Sequence, residues 1–455
     1  MRHFLTAIIF AGSLTAVGCS ETNKETATVD TATVADPTWY GDIQPIIGAH
    51  CQGCHSDTDN FTFALTDYES VSGLAPILLE KMEGSTEPPY LMPPFGHRES
   101  DECEELGDWR DDSRLSEEQL TVFGEWIDAG TPEGDPNDTV DYDIPSPLTL
   151  QGDGITRYST SGITIPAGEF DDKFLCFSVD PELSEDGWFD GIEIHAGNAE
   201  VVHHVVVFVD PEGESEALGG DDGMYPCFGG SKVSSGAVAY AWAPGSQPLT
   251  LMEDSGSYLQ AGGRLVVQIH YHPNGREEVD QTDISVRWLD VTPSKLAAMF
   301  VYGGVDASQV DSDHWVDTPF MIPAGATNHT EAWEETLYIP IQYKVRLWGI
   351  FPHMHLTGTE IKVTINRADG TELCLSHIPA WDFGWQRSYL LDGTYDEMPE
   401  LFDGDVLTVS CTYNNSDSNA TLMEYSDGES IADISVGEES VDEMCTAILG
   451  VVVEL

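Results

Sequence analysis

Cys51-Gln52-Gly53-Cys54-His55 forms a C-x-x-C-H string. Thiols at this spacing form thioethers to the two vinyl groups of a haem, and the adjacent imidazole reaches the iron from one side. Cys51 and Cys54 are therefore candidate covalent anchors for one haem c, with His55 as an axial ligand. Met92, in Tyr90-Leu91-Met92-Pro93-Pro94-Phe95-Gly96, is the favoured donor for the opposite face. The prolines stiffen that loop, and a thioether raises the potential. Met82 and His97 are rival donors. Further along, histidines gather in three pairs: His203 with His204, His270 with His272, and His353 with His355. On a strand, rings at i and i+2 share a face, which suits a shared metal. Adjacent rings point to opposite faces, so His203 and His204 can share a metal only where the strand bends or bulges. Asp442-Glu443-Met444-Cys445 adds a thioether. Imidazoles with a thioether suit copper, especially Cu(I), far better than magnesium or calcium.

Two kinds of scaffold must hold these groups. Ser116-Glu117-Glu118-Gln119 reads as a helix-opening capping box. Leu120, Phe123, Trp126 and Ile127 then share one face, and Gly130 ends the helix. Residues 37–133 resemble a small all-α bacterial cytochrome c domain, including the ending Trp126-Ile127-Asp128-Ala129-Gly130. Residues 134–147 are a Pro/Asp/Gly linker. From 148 onward, short apolar or alternating runs recur between turn residues, as at 200–209, 264–271, 345–351 and 405–411. That pattern, over about 300 residues, predicts two all-β sandwiches.

The chain has 455 residues, 80 acidic and 18 basic, for a formal charge of −62. Phosphate binding needs basic surfaces, so nucleic acid is excluded as a partner. Attachment through anionic lipid headgroups is disfavoured for the same reason. Arg2 and His3 precede an apolar stretch, 4–17, too short to span a bilayer. It ends in Ala16-Val17-Gly18-Cys19, which resembles a bacterial lipoprotein box. Residues 1–19 thus read as a lipoprotein signal with Cys19 as the lipidated residue. Residues 20–36 read as a flexible tether. The expectation is an exported lipoprotein, periplasmic or cell-surface, held in the outer membrane by its N-terminal lipid. Of nine cysteines, setting aside Cys19, Cys51 and Cys54 leaves Cys103, Cys176, Cys227, Cys374, Cys411 and Cys445. An even remainder in an oxidising compartment suggests disulfides, and their pairing does not follow from spacing.

Several strings occur together and in order: Val202-His203-His204-Val205, Tyr240-Ala241-Trp242-Ala243, Val267-Gln268-Ile269-His270-Tyr271, His353-Met354-His355-Leu356-Thr357-Gly358 and Glu443-Met444-Cys445. Residues 148–455 thereby resemble the copper type II, ascorbate-dependent monooxygenases. That family includes dopamine β-hydroxylase and peptidylglycine α-hydroxylating monooxygenase. The resemblance implies two sandwiches, 148–295 and 296–455, each holding one copper ion. It matches His203, His204 and His270 to an electron-transfer copper, and so selects His270 over His272. It matches His353, His355 and Met444 to the catalytic copper that meets O2. It also implies disulfides Cys176–Cys227 and Cys411–Cys445, and leaves Cys103 and Cys374 unassigned. Phe351 stands where the peptide-processing branch has an arginine that holds a substrate carboxylate. Thr446 and Ile448 replace an Asn and a Tyr of that branch, so a peptide carboxylate is not the expected substrate. Residues 381–386, Trp-Asp-Phe-Gly-Trp-Gln, read either as a pocket lining or as a buried aromatic strand. The implied activity is hydroxylation of a C–H bond in a small organic substrate. Electrons would come from ascorbate or a redox protein, or through the fused haem. The competing expectation is a haem lipoprotein that binds copper and transfers electrons without catalysis.

Overall fold

Local signals start the helices. Besides α1 (Gln44–His50), two longer helices open at capping boxes, α2 (Tyr68–Glu83) at Asp67 and α3 (Glu117–Asp128) at Ser116. Gln119 donates its N–H to Ser116 Oγ at 3.2 Å, and Ser116 N–H returns to Gln119 Oε1 at 2.8 Å, which satisfies donors that a helix start leaves unpaired. Gly130, at φ +85°, takes the left-handed conformation that ends α3. On the predicted face of α3, Phe123 and Trp126 are buried, and Leu120 and Ile127 pack at the edge. They join Trp39, Ile47, Val71 and Leu78 in a core of their own.

This description comes from a computed structural model. It covers residues 36–56, 63–101, 103–104, 106–142, 149–244, 246–305, 307–425 and 431–455. The signal segment, Cys19 and the tether up to residue 35 lie outside the described residues. Among the described residues no helix is long and apolar enough to cross a membrane.

After the helical part the long elements are strands. One five-stranded sheet has the order Met224–Pro226, Lys173–Val179, Arg264–Tyr271, Val202–Asp210, Ala237–Trp242. A four-stranded sheet has the order Ala326–Thr336, Val406–Asn415, Gly358–Asn366, Glu372–Ile378. A ten-stranded sheet runs through both halves. Its join is a short parallel pairing, Lys295 with Ser255 and Leu296 with Gly256. The chain is therefore mostly β-sandwich, but the sandwiches share a sheet where two separate ones were expected. The reason lies in burial. Val406–Asn415 alternates buried and half-buried residues, as a strand with one face in a core does. Cys445–Glu454 is buried for its first eight residues, so both its faces are covered, and one apolar core extends across both halves.

Three disulfides pin this arrangement: Cys176–Cys227, Cys411–Cys445 and Cys103–Cys374. The last fixes the segment between α2 and α3 onto the second sandwich. There Arg98 N–H donates to His377 O at 2.9 Å and Arg110 N–H to Leu390 O at 2.7 Å.

Candidate metal centres

The first cluster depends on a bulge. His204 pairs with His270 across the sheet, but the next pair is Val202 with Tyr271, which leaves His203 as the extra residue. An extra residue breaks the alternation of faces, and the two adjacent rings turn to the same side. Nδ1 of His203 and of His204 lie 3.3 Å apart, and Nδ1 of His204 and of His270 also lie 3.3 Å apart. The three donors fall within 4.8 Å of one another. At metal–nitrogen bonds of about 2.0 Å, nitrogens 3.3 Å apart subtend about 111°, close to tetrahedral. Burial pushes His203 down to about 3 and His204 well below its ordinary range. Both rings are then neutral near pH 7, the state a metal requires. The set fits one soft or borderline ion such as copper.

His270 is held from two sides. Its ring stacks on Phe174 at 4.3 Å and 9°. Its Nε2 lies 3.1 Å from Asp172 Oδ2. His272, the alternative that spacing left open, is turned instead to Asp172 Oδ1, at 2.7 Å from its Nδ1. Burial works against the Asp172 charge, but its bonds to His270 and His272 hold the carboxyl well below the usual range.

The second set is built on a seam between two strands. His353 closes Val345–His353 and sits opposite Thr446. Past the end of that strand, His355 N–H and Met444 N–H donate to the same oxygen, Glu443 Oε2. His353 Nδ1 lies 2.6 Å from Gln386 Oε1, and His355 Nδ1 lies 3.2 Å from Asp442 O. Those bonds fix the tautomers with the proton on Nδ1 and leave Nε2 of each ring to bind a metal. Burial pushes His353 down to about 4 and His355 well below its ordinary range. Tyr413 O–H donates to Met444 O at 3.0 Å, and the Cys411–Cys445 disulfide secures the next residue. Gly358 allows the close approach behind the His-x-His turn, since a Cβ there would lie 2.7 Å from Met354 Cε and 2.9 Å from Trp381 Cδ1.

Glu443 joins the two strands of this set. Its buried carboxylate accepts His355 N–H at 2.9 Å and Met444 N–H at 3.2 Å on Oε2. Thr357 N–H at 2.6 Å and Thr357 O–H at 2.7 Å go to Oε1. Burial raises its pKa to about 7.

The two sets are neighbours. The His204 and His353 ring centroids are 6.3 Å apart. Residues 381–386 form a loop there, not a strand. Phe383 stacks on His203 at 4.9 Å, Trp381 Nε1–H donates to His355 O at 3.2 Å, and Gln386 meets His353. Phe383 also lines a cavity of about 190 Å³, to which Thr86, Tyr90, Thr359 and Asn419 contribute. Sequence reasoning missed Asp172, Gln386 and the role of Glu443. The last two lay inside quoted strings, whereas nothing local marks Asp172.

In the helical part, neither Cys51 nor Cys54 is in a disulfide, although the six described cysteines outside that motif all are. Burial pushes the Cys51 thiol up to about 12. His55 Nδ1 lies 2.9 Å from Phe63 O, which leaves Nε2 to bind an iron. Met82 is part of the helical core. His97 is buried beside Trp109, and its Nδ1 accepts His377 N–H at 3.2 Å. Met92 is half-buried on its loop, and its N–H donates to Lys81 O at 2.9 Å.

Residues 321–449 match the family model described as copper type II ascorbate-dependent monooxygenase, C-terminal domain. The span contains His353, His355 and Met444, and supports copper monooxygenase chemistry in general terms. Among solved structures, the major capsid protein P2 of bacteriophage PM2 aligns at 9% identity and a TM-score of 0.20, covering 62% of this chain and 97% of that one. The glycosylasparaginase PNGase F from Flavobacterium meningosepticum aligns at 11% identity and a TM-score of 0.26, covering 66% of this chain and 96% of that one. At such scores neither alignment carries an argument.

Proposed function

We propose that this chain is an exported copper monooxygenase with a fused c-type cytochrome, hydroxylating a C–H bond of a small organic molecule. The observation that carries the reading is the placing of the two ligand sets side by side, with His204 and His353 rings 6.3 Å apart. His203, His204 and His270 would hold one copper, and His353, His355 and Met444 the other. Copper bound there supplies one-electron steps and the reduction of O2, and thioether ligation favours Cu(I). The overall change, R–H + O2 + 2 e⁻ + 2 H⁺ → R–OH + H2O, needs two electrons. A pair of one-electron centres is suited to deliver them.

The chain's own groups set the conditions. Gln386 and Asp442 O hold the tautomers of His353 and His355. Phe383 stacks on His203, and the buried Phe351 ring lies against His353 at 6.5 Å, so apolar rings cover a ligand of each set. Thr446 turns its hydroxyl to Gly304 O at 3.1 Å, and Ile448 pairs with Phe351. No cation faces the second set from these positions, which supports a substrate without a carboxylate. Cys51 and Cys54 would carry the haem, with His55 and Met92 as axial ligands. A haem so held exchanges single electrons and would serve as an entry port, beside or instead of ascorbate. Lipidation at Cys19 would place the protein at the outer membrane, facing periplasm or exterior.

The test is metal analysis of anchor-less protein matured with haem and loaded with copper, followed by turnover under labelled O2. Two copper ions per iron, with label in an alcohol product, is the expected result. Two copper ions without oxygen incorporation would reduce the reading to a copper-binding electron carrier. Absence of tightly held copper would overturn it.

A further inference from the structure

We propose that Asp172 is a positioning residue that selects the metal-binding orientation of His270 and latches the first ligand set to the second. The inference rests on the copper reading above and concerns a residue outside both ligand sets. Asp172 immediately precedes the strand Lys173–Val179, in which Phe174 pairs with His270 and Lys173 with Tyr271. The next step of that register brings Asp172 beside His272. Its side chain is enclosed, with 19% exposure, and each oxygen is engaged. Oδ1 lies 2.7 Å from His272 Nδ1. Oδ2 lies 3.1 Å from His270 Nε2 and accepts Ser440 O–H at 2.8 Å.

Two consequences follow from that geometry. Stacking on Phe174 fixes the plane of the His270 ring but not which way round it lies, because a half-turn about the ring axis keeps the stack. A carboxylate at Nε2 removes the ambiguity. Its charge, 3.1 Å away, favours the proton there and leaves Nδ1, 3.3 Å from His204 Nδ1, as the donor to the shared metal. The second consequence runs through Ser440. That residue lies just upstream of Asp442, whose carbonyl orients His355, and of Met444. One carboxylate therefore lies in close charge contact with a ligand of the first set, at 3.1 Å, and is hydrogen-bonded to the segment that carries a ligand of the second. Movement of the two sets relative to one another would have to break the Ser440 bond.

The experiment uses the full described chain, anchor-less, with Asp172→Asn, Asp172→Glu and Ser440→Ala variants. Cu(I) affinities are read by competition with a chromophoric chelator, and the Cu(II) forms by electron paramagnetic resonance. Asp172→Asn should weaken one of the two copper ions about 10–100-fold and change that ion's spectrum, with the other ion unchanged. Asp172→Glu should restore part of the loss. Ser440→Ala should keep both affinities within about twofold but alter the dipolar coupling between the two Cu(II) ions. Two copper ions bound to Asp172→Asn as in the parent would overturn the positioning role. Unaltered coupling in Ser440→Ala would overturn the latch, and it can be read even if the Asp172 variants fold poorly. A parent protein that binds no copper would instead sink the copper reading itself.

Discussion

Replacing Glu443 by Gln tests whether the second ligand set is held together by one buried carboxylate. In the parent, two oxygens accept four donors: His355 N–H, Met444 N–H, Thr357 N–H and Thr357 O–H. An amide has one oxygen, so one pair of donors must face an NH2 group. The better orientation sets the NH2 against Thr357, whose hydroxyl can rotate and accept. Thr357 N–H cannot, and one amide hydrogen is left without an acceptor as well. Each buried donor without a partner costs about 1–3 kcal/mol, so the two cost about 2–6 kcal/mol, partly offset because the amide carries no charge for burial to disfavour. That is a large part of the roughly 5–15 kcal/mol that stabilises a folded protein. The assay is urea unfolding of copper-free protein at pH 8, above the value of about 7 to which burial raises this group, so the parent carboxyl is ionised. Copper titration of the folded variant should also show weakened binding at the second set, because the acceptor that His355 and Met444 share changes from a charged oxygen to a neutral amide oxygen. A folded variant that binds copper at the second set as tightly as the parent would refute the reasoning.

Met444→Ala should lose or greatly weaken one of two copper ions and leave the other, read as metal per protein after dialysis; retention of both would remove Met444 from the ligand set. In a Glu443→Gln background, which removes that carboxyl's titration near 7, copper affinity at the second set should stay level from pH 7 to about 5 and fall below about 4, because burial holds His353 near 4 and His355 lower; a decline beginning at pH 6.5, the ordinary imidazole value, would contradict the burial argument. The same shifts act on copper-free stability. Between about 4 and 6.5 the unfolded chain binds more protons than the folded one, so stability should drop as pH falls through that window, followed by denaturant midpoints. Cys51→Ala with Cys54→Ala should release haem into acidified acetone, whereas the parent should keep it on the polypeptide; haem retention by the variant would discount covalent attachment.

The readable parts of this chain were those written locally. Ser116 and Gln119 lie three residues apart, and their reciprocal bonds were predictable from that spacing. The bulge at His203 was legible as a necessity, because two adjacent strand histidines cannot otherwise share a metal. Its position opposite His270 and Tyr271 was not, since pairing register is a property of two distant strands. His270 and His272 illustrate the limit. Each sits in an equivalent place in its string, and only the carboxylate at Asp172, far off in sequence, separates ligand from buttress. The loop at 381–386 was ambiguous for a related reason. Its aromatic composition suits a strand or a lining, and the deciding contacts are with His203, His353 and His355. The shared ten-stranded sheet escaped notice because it hangs on a two-residue parallel pairing that leaves no periodic signal.

The arginines explain how the helical part and the loop at 381–386 come to depend on each other. With 18 basic residues against 80 acidic ones, like-charge repulsion opposes docking of one acidic part on another. Four of those cations meet at the junction. Arg114 and Arg387 both lie 4.8 Å from the centre of the Phe95 ring, one on each side of the contact. Arg387 also donates to Pro94 O at 3.2 Å, Arg98 to the carbonyls of Phe95 and His97, and Arg110 to Thr250 O. Guanidinium groups stacked on an aromatic face and bonded to carbonyls are screened by salt much less than exposed pairs. The contact is thus suited to an acidic protein in saline surroundings. Arg387 follows Gln386, which orients His353, in the same loop as Phe383, which covers His203. Asp382, in the middle of that loop, accepts Tyr90 N–H at 3.2 Å. The segment that follows α2 therefore braces the loop that touches both ligand sets, and their arrangement depends partly on the helical end of the chain.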